Sequence, residues 1–198
     1  MNERDEYDES PDVVVAEPSS WNVPNGLTVI RLFMVPLFLW LLLRQDGTDT
    51  VSRLWAAAVF LVASLTDFVD GELARRNGQV TSFGKVADPI ADKALTGAAL
   101  IGLSLLSELP WWITIVILVR EIGVTLLRFW VIRDGIIPAS RGGKWKTAMQ
   151  MTAIVLYLLP LPSGFDAVRM TVMGIALVLT VVTGVDYVMR ALRLRNGE

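Results

Sequence analysis

The sequence of 198 residues contains neither cysteine nor histidine. Without cysteine, disulfide bonds and thiolate metal sites are excluded. Without histidine, the chain lacks the commonest general base and the commonest zinc ligand, so every Ser-His-Asp arrangement is also excluded. The net charge of −2 gives no support for binding nucleic acid. Any chemistry must therefore come from carboxylates, cationic side chains, hydroxyl groups or a bound cofactor.

Apolar residues are what the chain has in abundance, at 53% of the total. A soluble domain of this length seldom needs that much, so the composition predicts a one-domain integral membrane protein. Six apolar runs approach the ~20 residues that a spanning helix needs, and they lie at about 27–43, 53–69, 86–107, 110–132, 147–162 and 167–189. Turn-forming residues separate several of them, at 45–50, 107–110 and 159–166. We predict an all-α fold of six transmembrane helices.

The charged residues predict the orientation of these helices. Residues 1–21 carry seven acids and one arginine, which predicts a disordered acidic tail ahead of a membrane domain at 22–198. With six spans both termini lie on one side, together with predicted loops at 70–86 and 133–146. That side receives ten Lys and Arg residues and the other side three. The excess predicts that both termini face the cytoplasm. The four tryptophans expected at the outer interface are Trp40, Trp55, Trp111 and Trp112.

Four aspartates interrupt this apolar pattern between the second and third runs. Asp67 and Asp70 are three apart, and Asp88 and Asp92 are four apart, so each pair shares one face of a helix. Carboxylates at membrane depth are costly and need neutralisation. Oxygen ligands without His or Cys indicate Mg²⁺, Mn²⁺ or Ca²⁺, and four carboxylates suffice for two cations. Helix caps or solvated loop residues are the structural alternative.

Small residues accompany the aspartates. Gly71 and Ala74 follow the first pair at helical spacing, and Gly84 precedes the second. They allow a backbone or a flat ligand to approach, although plain helix packing explains each of them equally well. Arg75 has the chemistry to meet a diphosphate.

The whole spacing resembles the signature of the CDP-alcohol phosphotransferases. The matching residues are Asp67, Asp70, Gly71, Ala74, Arg75, Gly84, Asp88 and Asp92. The resemblance implies a homodimeric six-helix membrane enzyme that moves a phosphate-bearing group from a CDP-linked donor to an alcohol and releases CMP. It implies that the four aspartates bind two Mg²⁺ or Mn²⁺ ions, and that Asp92 accepts the proton of the incoming hydroxyl. It also implies that Gly71, Arg75 and Thr81 hold the CDP part.

Two further stretches resemble the phosphatidylglycerophosphate synthases of that family. Residues 22–36 supply Asn25 and Thr28 as a cap and polar lid at a helix start, and Arg31 as an intramembrane cation that needs a partner. Residues 120–150 place charged groups in an apolar helix and a basic loop beside it, as a phosphate-bearing acceptor requires. The predicted acceptor residues are Arg120, Arg128, Ser140, Lys144 and Lys146. Positive-inside topology is the alternative explanation of that loop.

The resemblance implies CDP-diacylglycerol as donor, glycerol 3-phosphate as acceptor, and a cell (inner or plasma) membrane enzyme with its site on the cytoplasmic face among the membrane lipids. Two other acceptors stay open within the family, namely phosphatidylglycerol, as in a cardiolipin synthase, and inositol phosphate. A divalent-cation carrier is the alternative from another functional class, although it would place its acids near the bilayer midplane.

Overall fold

The computed structural model describes residues 23–76, 82–131 and 141–196, without the side chains at 23–24, 67–89, 92, 128–129, 131, 141 and 195–196. Across these ranges the chain forms six α-helices and no strand. The helices are α1 (Val23–Leu43), α2 (Thr50–Arg76), α3 (Ser82–Leu105), α4 (Trp111–Val131), α5 (Arg141–Leu158) and α6 (Asp166–Asn196). The all-α prediction is confirmed for this part of the chain. The predicted acidic tail, residues 1–21, lies outside it.

The three predicted turns separate the helices as expected. A short 3-10 turn at Arg44–Gly47 follows α1, residues 106–110 join α3 to α4, and a second 3-10 turn at Ser163–Phe165 precedes α6. Gly47 has φ of +72°, and a Cβ built there would lie 2.6 Å from a methyl carbon of Leu106. Glycine is therefore required at this position for both its conformation and its size.

The helices pack as two groups of three. Helix α1 lies against α2 and α3, while α6 lies against α4 and α5. Contacts of α3 with α4 and of α2 and α3 with α5 join the groups. The buried core runs through both, and Phe38 of α1 meets Phe60 of α2 with ring centroids 5.9 Å apart. Gly102 of α3 faces Leu39 and Leu42 of α1, so α1 and α3 run in the same direction.

Two predicted loops are shorter in the structure than the sequence suggested. The loop predicted at 70–86 is wrong at both ends, because α2 continues to Arg76 and α3 begins at Ser82. Glu, Leu, Ala and Arg at 72–76 are strong helix formers although they are not all apolar. The loop predicted at 133–146 is wrong at its end, because α5 begins at Arg141. Its early start includes Lys146, which is buried against α4, so tertiary packing overrides the weak helix propensity of Gly142 and Gly143.

The surface of the bundle is rich in large apolar side chains. Helical segments Asn25–Gly47 and Ser163–Leu194 are long and apolar enough to cross a membrane, and shorter apolar helical segments occupy Thr50–Thr66 and Lys93–Leu105. The exposed apolar side chains include the four tryptophans predicted for one interface, Trp40, Trp55, Trp111 and Trp112. These features are compatible with a membrane protein.

A buried arginine joins several segments at the end of the bundle that carries the three turns. Arg53 of α2 is buried and forms a two-point ion pair with Glu108, whose Oε2 is 2.8 Å from Nη2. Its guanidinium also donates to the carbonyl oxygens of Gly47, Tyr157 and Leu158. This one side chain therefore connects the turn after α1, the loop after α3 and the end of α5.

Candidate active site

The aspartate positions lie on two adjacent helices at one end of the bundle. Residues 67 and 70 are in the last turns of α2, and residues 88 and 92 are in the first turns of α3. Both spacings are therefore helical, and each pair shares a helical face. Helices α2 and α3 contact one another, and only residues 77–81 separate them in sequence.

The first turns of α1 bring three buried polar side chains to this same end. Asn25, Thr28 and Arg31 are only 5%, 1% and 2% exposed. Their three-residue spacing places them along one face of α1, and α1 runs parallel to α3 and packs against both aspartate-bearing helices. Arg31, which the sequence predicts to be an intramembrane cation, is thus buried in the bundle. These buried polar groups therefore lie beside the helix ends that carry the aspartates, and not in the middle of the apolar core.

The residues at this end fit a hard divalent cation. The donor set is four carboxylates on neighbouring helix ends, and oxygen donors of this kind suit Mg²⁺ or Mn²⁺. Four carboxylates at these positions on adjacent helices would repel each other, and bound cations would offset that repulsion. The aspartate side chains themselves lie outside the described part of the structure.

A second polar cluster joins α4, α5 and α6. Glu121 of α4 is its centre, since one carboxylate oxygen pairs with Nζ of Lys146 and lies 3.3 Å from Nη1 of Arg120. Lys146 is 5% exposed. Arg120 also donates from Nη2 to the hydroxyl oxygen of Thr183, at 2.9 Å. Within the described residues, two cations thus share one carboxylate.

Helix α6 makes room for this cluster. A Cβ built on Gly184 would lie 3.0 Å from Cγ of Arg120, so the arginine side chain runs across the bare backbone of that glycine. Sequence reasoning missed Thr183 and Gly184, because it matched the last helix only by its hydrophobicity. A Thr-Gly pair inside an otherwise apolar helix is the signal that was available.

A cavity of about 360 Å³ lies between α3, α4 and α5 beside this cluster. Glu121 and Lys146 form part of its wall, and Lys93 and Thr96 reach it from α3. Its volume is within the range of small-molecule sites. Position 92 is one helical turn before Thr96 on a neighbouring part of the same helix surface. The cavity therefore adjoins the helix segment that carries the last aspartate.

Comparison with known proteins identifies the family. The family model for CDP-alcohol phosphatidyltransferase matches residues 21–182, which cover the aspartate helices, the buried polar face of α1 and the Glu121 cluster. The chain belongs to this family. It is therefore a CDP-alcohol phosphatidyltransferase, a transferase of phospholipid biosynthesis, as the spacing of the aspartates predicted.

Three relatives of this CDP-alcohol phosphatidyltransferase carry three different names. A probable phosphatidylglycerophosphate synthase of Mycobacterium tuberculosis is 55% identical over 176 residues, which cover 89% of this chain and 84% of the relative. A CDP-diacylglycerol–glycerol-3-phosphate 3-phosphatidyltransferase of Bacillus subtilis is 37% identical over 84% of this chain and 93% of its own. A CMP-forming cardiolipin synthase of Streptomyces coelicolor is also 37% identical, over 89% of this chain and 85% of its own.

The acceptor residues predicted for this phosphatidyltransferase fall into three groups. Arg120 and Lys146 are brought together through Glu121. Lys144 is in the same helix as Lys146 but is exposed, so the described structure does not bring it into the cluster. The side chain of Arg128 and the whole of Ser140 lie outside the described residues.

The structure likewise describes only some of the donor-binding residues predicted for the phosphatidyltransferase. Asn25 and Thr28 are buried on α1, beside the helices that carry the aspartates. Positions 71, 74, 75 and 84 are helical, at the facing ends of α2 and α3, but their side chains are not described. Thr81 lies outside the described residues.

Proposed function

We propose that the protein transfers a phosphatidyl group from CDP-diacylglycerol to glycerol 3-phosphate and releases phosphatidylglycerophosphate and CMP. The observation that carries the choice of acceptor is the cluster of half-buried Arg120 and buried Lys146 around Glu121, beside the cavity next to the aspartate-bearing end of α3. Buried cations are what a water-soluble phosphorylated acceptor requires. The name of the 55% identical relative from M. tuberculosis supports the same acceptor.

The protein would cross a cell membrane six times, with both termini and the site on the cytoplasmic face. The ten-to-three bias of Lys and Arg supports this orientation. The exposed tryptophans Trp40, Trp55, Trp111 and Trp112 support the membrane position rather than the orientation, because they lie around the end of the bundle opposite the aspartates, where one of the two aromatic belts is expected. The acyl chains of the donor would stay in the bilayer, and its cytidine diphosphate would enter from the cytoplasm. A homodimer is part of the proposal, because the family resemblance implies one.

The donor would be held at the ends of α1, α2 and α3. Asp67, Asp70, Asp88 and Asp92 would bind two Mg²⁺ or Mn²⁺ ions, which when bound supply charge compensation for the diphosphate and for the leaving CMP. The proposed contacts of the CDP group are Asn25, Thr28, Gly71, Ala74, Arg75, Thr81 and Gly84. The small residues among them would let the nucleotide approach the helix backbone.

Asp92 would act as the base. A hydroxyl oxygen of glycerol 3-phosphate attacks the phosphorus that bears the diacylglycerol, and the bond from that phosphorus to the oxygen of CMP breaks. The proton of the attacking hydroxyl passes to the Asp92 carboxylate. The cavity beside Thr96 would hold the acceptor next to this position.

The acceptor phosphate would be bound by cationic and hydroxyl side chains of α4, α5 and the segment between them. Arg120 and Lys146 would provide the buried part of this site, with Arg128, Ser140 and Lys144 as the further predicted contacts. Glu121 now pairs with both cations. It would hold them in place, and the incoming phosphate would contact the N–H groups that face the cavity.

A cardiolipin synthase is the second candidate, and the relative from S. coelicolor is the observation that favours it. Its acceptor would be phosphatidylglycerol rather than glycerol 3-phosphate. Inositol phosphate is a further acceptor of the same chemical kind. A divalent-cation carrier is disfavoured, because the acids are grouped at helix ends at one end of the bundle instead of its middle.

Initial rates of CMP release with different acceptors would test the proposal. Purified protein in mixed micelles would receive labelled CDP-diacylglycerol, Mg²⁺ or Mn²⁺, and glycerol 3-phosphate, phosphatidylglycerol or inositol phosphate. We expect rapid CMP release only with glycerol 3-phosphate. Faster release with phosphatidylglycerol would establish the cardiolipin synthase instead. Metal flux into vesicles without any nucleotide dependence would establish the carrier.

A further inference from the structure

The cavity beside the Glu121 cluster has one polar group that nothing in the described structure satisfies. Gln150 of α5 is 3% exposed and forms part of the cavity wall. Its side-chain oxygen is buried and, among the described residues, has no hydrogen-bond partner. Burying an amide oxygen without a partner destabilises the fold, because the oxygen loses its hydrogen bonds to water. Such a group, placed in the wall of a cavity, indicates a ligand that completes the hydrogen bond.

Gln150 lies on the same face of α5 as the buried Lys146. Lys146 and Gln150 are four residues apart on α5 and both face the cavity, so their side chains begin about 6 Å apart on one helix face. Lys93 enters from α3, so the described residues of the wall contribute two lysines and the carboxylate of Glu121. A phosphate and a nearby hydroxyl of one small molecule fit that arrangement, with the phosphate at Lys146 and the hydroxyl one turn deeper.

The amide of Gln150 suits a hydroxyl better than any other group. An amide presents an acceptor oxygen and a donor NH₂, and a hydroxyl both donates and accepts, so the pair forms a hydrogen bond in either orientation of the amide. A phosphate oxygen only accepts, and it is already served by the cations. The cavity wall contains the apolar side chains of Leu118, Ile122 and Met151, and the hydroxyls of Thr96 and Thr147 are its other neutral polar groups. Among the described groups of this wall, the Gln150 oxygen is the one that is buried without a hydrogen-bond partner.

We propose that Gln150 recognises the secondary hydroxyl of glycerol 3-phosphate and so determines acceptor specificity. This inference rests on the proposed function, because it assigns a contact to the acceptor named there. The primary hydroxyl reacts, the phosphate contacts Lys146, and the secondary hydroxyl between them is held by the amide. An acceptor without the secondary hydroxyl leaves the buried amide unsatisfied and reacts more slowly.

The experiment compares two acceptors that differ by one oxygen atom. 3-Hydroxypropyl phosphate keeps the phosphate and the primary hydroxyl of glycerol 3-phosphate but lacks the secondary hydroxyl. For the unaltered protein we expect kcat/KM to be about 10-fold to 100-fold higher with glycerol 3-phosphate, the effect of leaving one buried polar group unpaired. In Gln150→Leu, which fills similar space without an amide, the two acceptors become equivalent within about threefold. The KM for CDP-diacylglycerol stays unchanged.

Met151→Leu is the matched control, because Met151 is part of the same cavity wall and the exchange conserves volume. It should keep the full preference of the unaltered protein. A purely structural role of Gln150 would lower kcat/KM for both acceptors by the same factor, and that result would overturn the inference. Equal use of both acceptors by the unaltered protein would overturn it too. If the unaltered protein does not use glycerol 3-phosphate at all, the proposed function fails, and the inference fails with it.

Discussion

The two ends of the bundle each contain an arginine beside a glutamate, Arg53 being buried and Arg120 half-buried, and they differ in how completely these groups are satisfied. At the turn-bearing end, all three guanidinium nitrogens of Arg53 donate hydrogen bonds, to Glu108 and to three carbonyl oxygens. At the aspartate-bearing end, Arg120 and Lys146 share one oxygen of Glu121. Nε of Arg120 is buried without a hydrogen-bond partner in the described structure. The first group is complete by itself, and the second is not.

In the proposed function, this difference separates a charge that stabilises the fold from charges that would bind a ligand. A buried cation whose donors are all paired must break those hydrogen bonds before it can bind anything else. At the aspartate-bearing end, Nε of Arg120 and the side-chain oxygen of Gln150 are buried without hydrogen-bond partners among the described residues, and such atoms are available to a ligand. Both ends contain cations in apolar surroundings, so the number of charges alone does not distinguish them. The hydrogen-bond partners do.

Asp92→Asn is expected to have the largest effect. Loss of the base at the aspartate-bearing end should lower kcat for CMP release by about 10³-fold or more. The thermal midpoint in detergent should stay close to that of the unaltered protein, because the side chain is isosteric. Turnover within a factor of about ten of the unaltered protein would be too high for a catalytic base and would remove the role assigned to Asp92.

Arg53→Met should lower the stability of the fold and leave the kinetics of the folded enzyme unchanged, the opposite of Asp92→Asn. It leaves Glu108 without its cation and three carbonyl oxygens without their donor. Breaking such a pair should destabilise the fold by about 3 kcal/mol. The measurement is the thermal midpoint in detergent, with KM for glycerol 3-phosphate measured on the folded fraction and expected to be unchanged. Arg53→Met combined with Glu108→Gln should recover part of the loss. A raised KM without a lowered midpoint would show that this end of the bundle also contributes to the site.

Lys146→Met should affect acceptor binding. Removing a cation that hydrogen-bonds to a phosphate should raise KM for glycerol 3-phosphate about 10-fold to 100-fold. The KM for CDP-diacylglycerol should change little, because the donor is held by other helices. Lys144→Met is the matched comparison two residues away, and since Lys144 is exposed we expect a smaller effect there. Equal increases in KM for donor and acceptor would argue against a specific acceptor contact.

Gly184→Ala should also raise the KM for glycerol 3-phosphate, but by less than Lys146→Met. The new methyl group would lie 3.0 Å from Cγ of Arg120, so the arginine must shift by a few tenths of an ångström. We expect KM for glycerol 3-phosphate to rise about threefold to tenfold, because small displacements of a binding group are costly. Gly174→Ala in the same helix is the control, since a Cβ there meets nothing within 4 Å. Identical kinetics of the two variants would exclude α6 from the positioning of Arg120.

The smallest expected effect is a slight, pH-dependent loss of stability when a hydrogen bond at the start of α2 is removed. The hydroxyl and the backbone N–H of Ser52 both donate to Asp49, and the side-chain hydrogen bond is the main cause that holds the pKa of Asp49 below its ordinary value of 3.8. A lowered pKa stabilises the fold above the ordinary pKa, and that contribution is lost as pH falls through the lower, folded value. Ser52→Ala should therefore lower the thermal midpoint slightly at neutral pH. The difference should shrink below about pH 4. A difference that grows on acidification would contradict this sign.

Much of the fold could be predicted from the sequence, because hydropathy and turn residues are local signals. The helices and the three turns follow from them. The ends of α2, α3 and α5 could not be predicted, since polar helix formers such as Glu72 and Arg75 extend a helix beyond its apolar run. Lys146 illustrates the same limit, because its place in a helix depends on Glu121 of a different helix.

The candidate site was predictable where its residues follow a fixed spacing, and not where they depend on packing. The aspartates share a short segment, so their spacing alone indicated the chemistry. Thr183 and Gly184 contact Arg120 across 63 and 64 positions of sequence, and no local pattern connects them. Gln150 and Arg53 are similar cases. Gln150 is distinguished by a side-chain oxygen without a hydrogen-bond partner among the described residues, and Arg53 by hydrogen bonds from all three of its guanidinium nitrogens. Both properties exist only in the folded chain.

The most direct test of the account is the identity and amount of the lipid product. Purified protein, CDP-diacylglycerol, glycerol 3-phosphate and Mg²⁺ would be incubated, and CMP and lipid products would be quantified together by mass spectrometry. The account predicts one phosphatidylglycerophosphate for each CMP released, and no product when glycerol 3-phosphate is omitted. CMP accompanied by phosphatidic acid, or formed equally well without glycerol 3-phosphate, would contradict it.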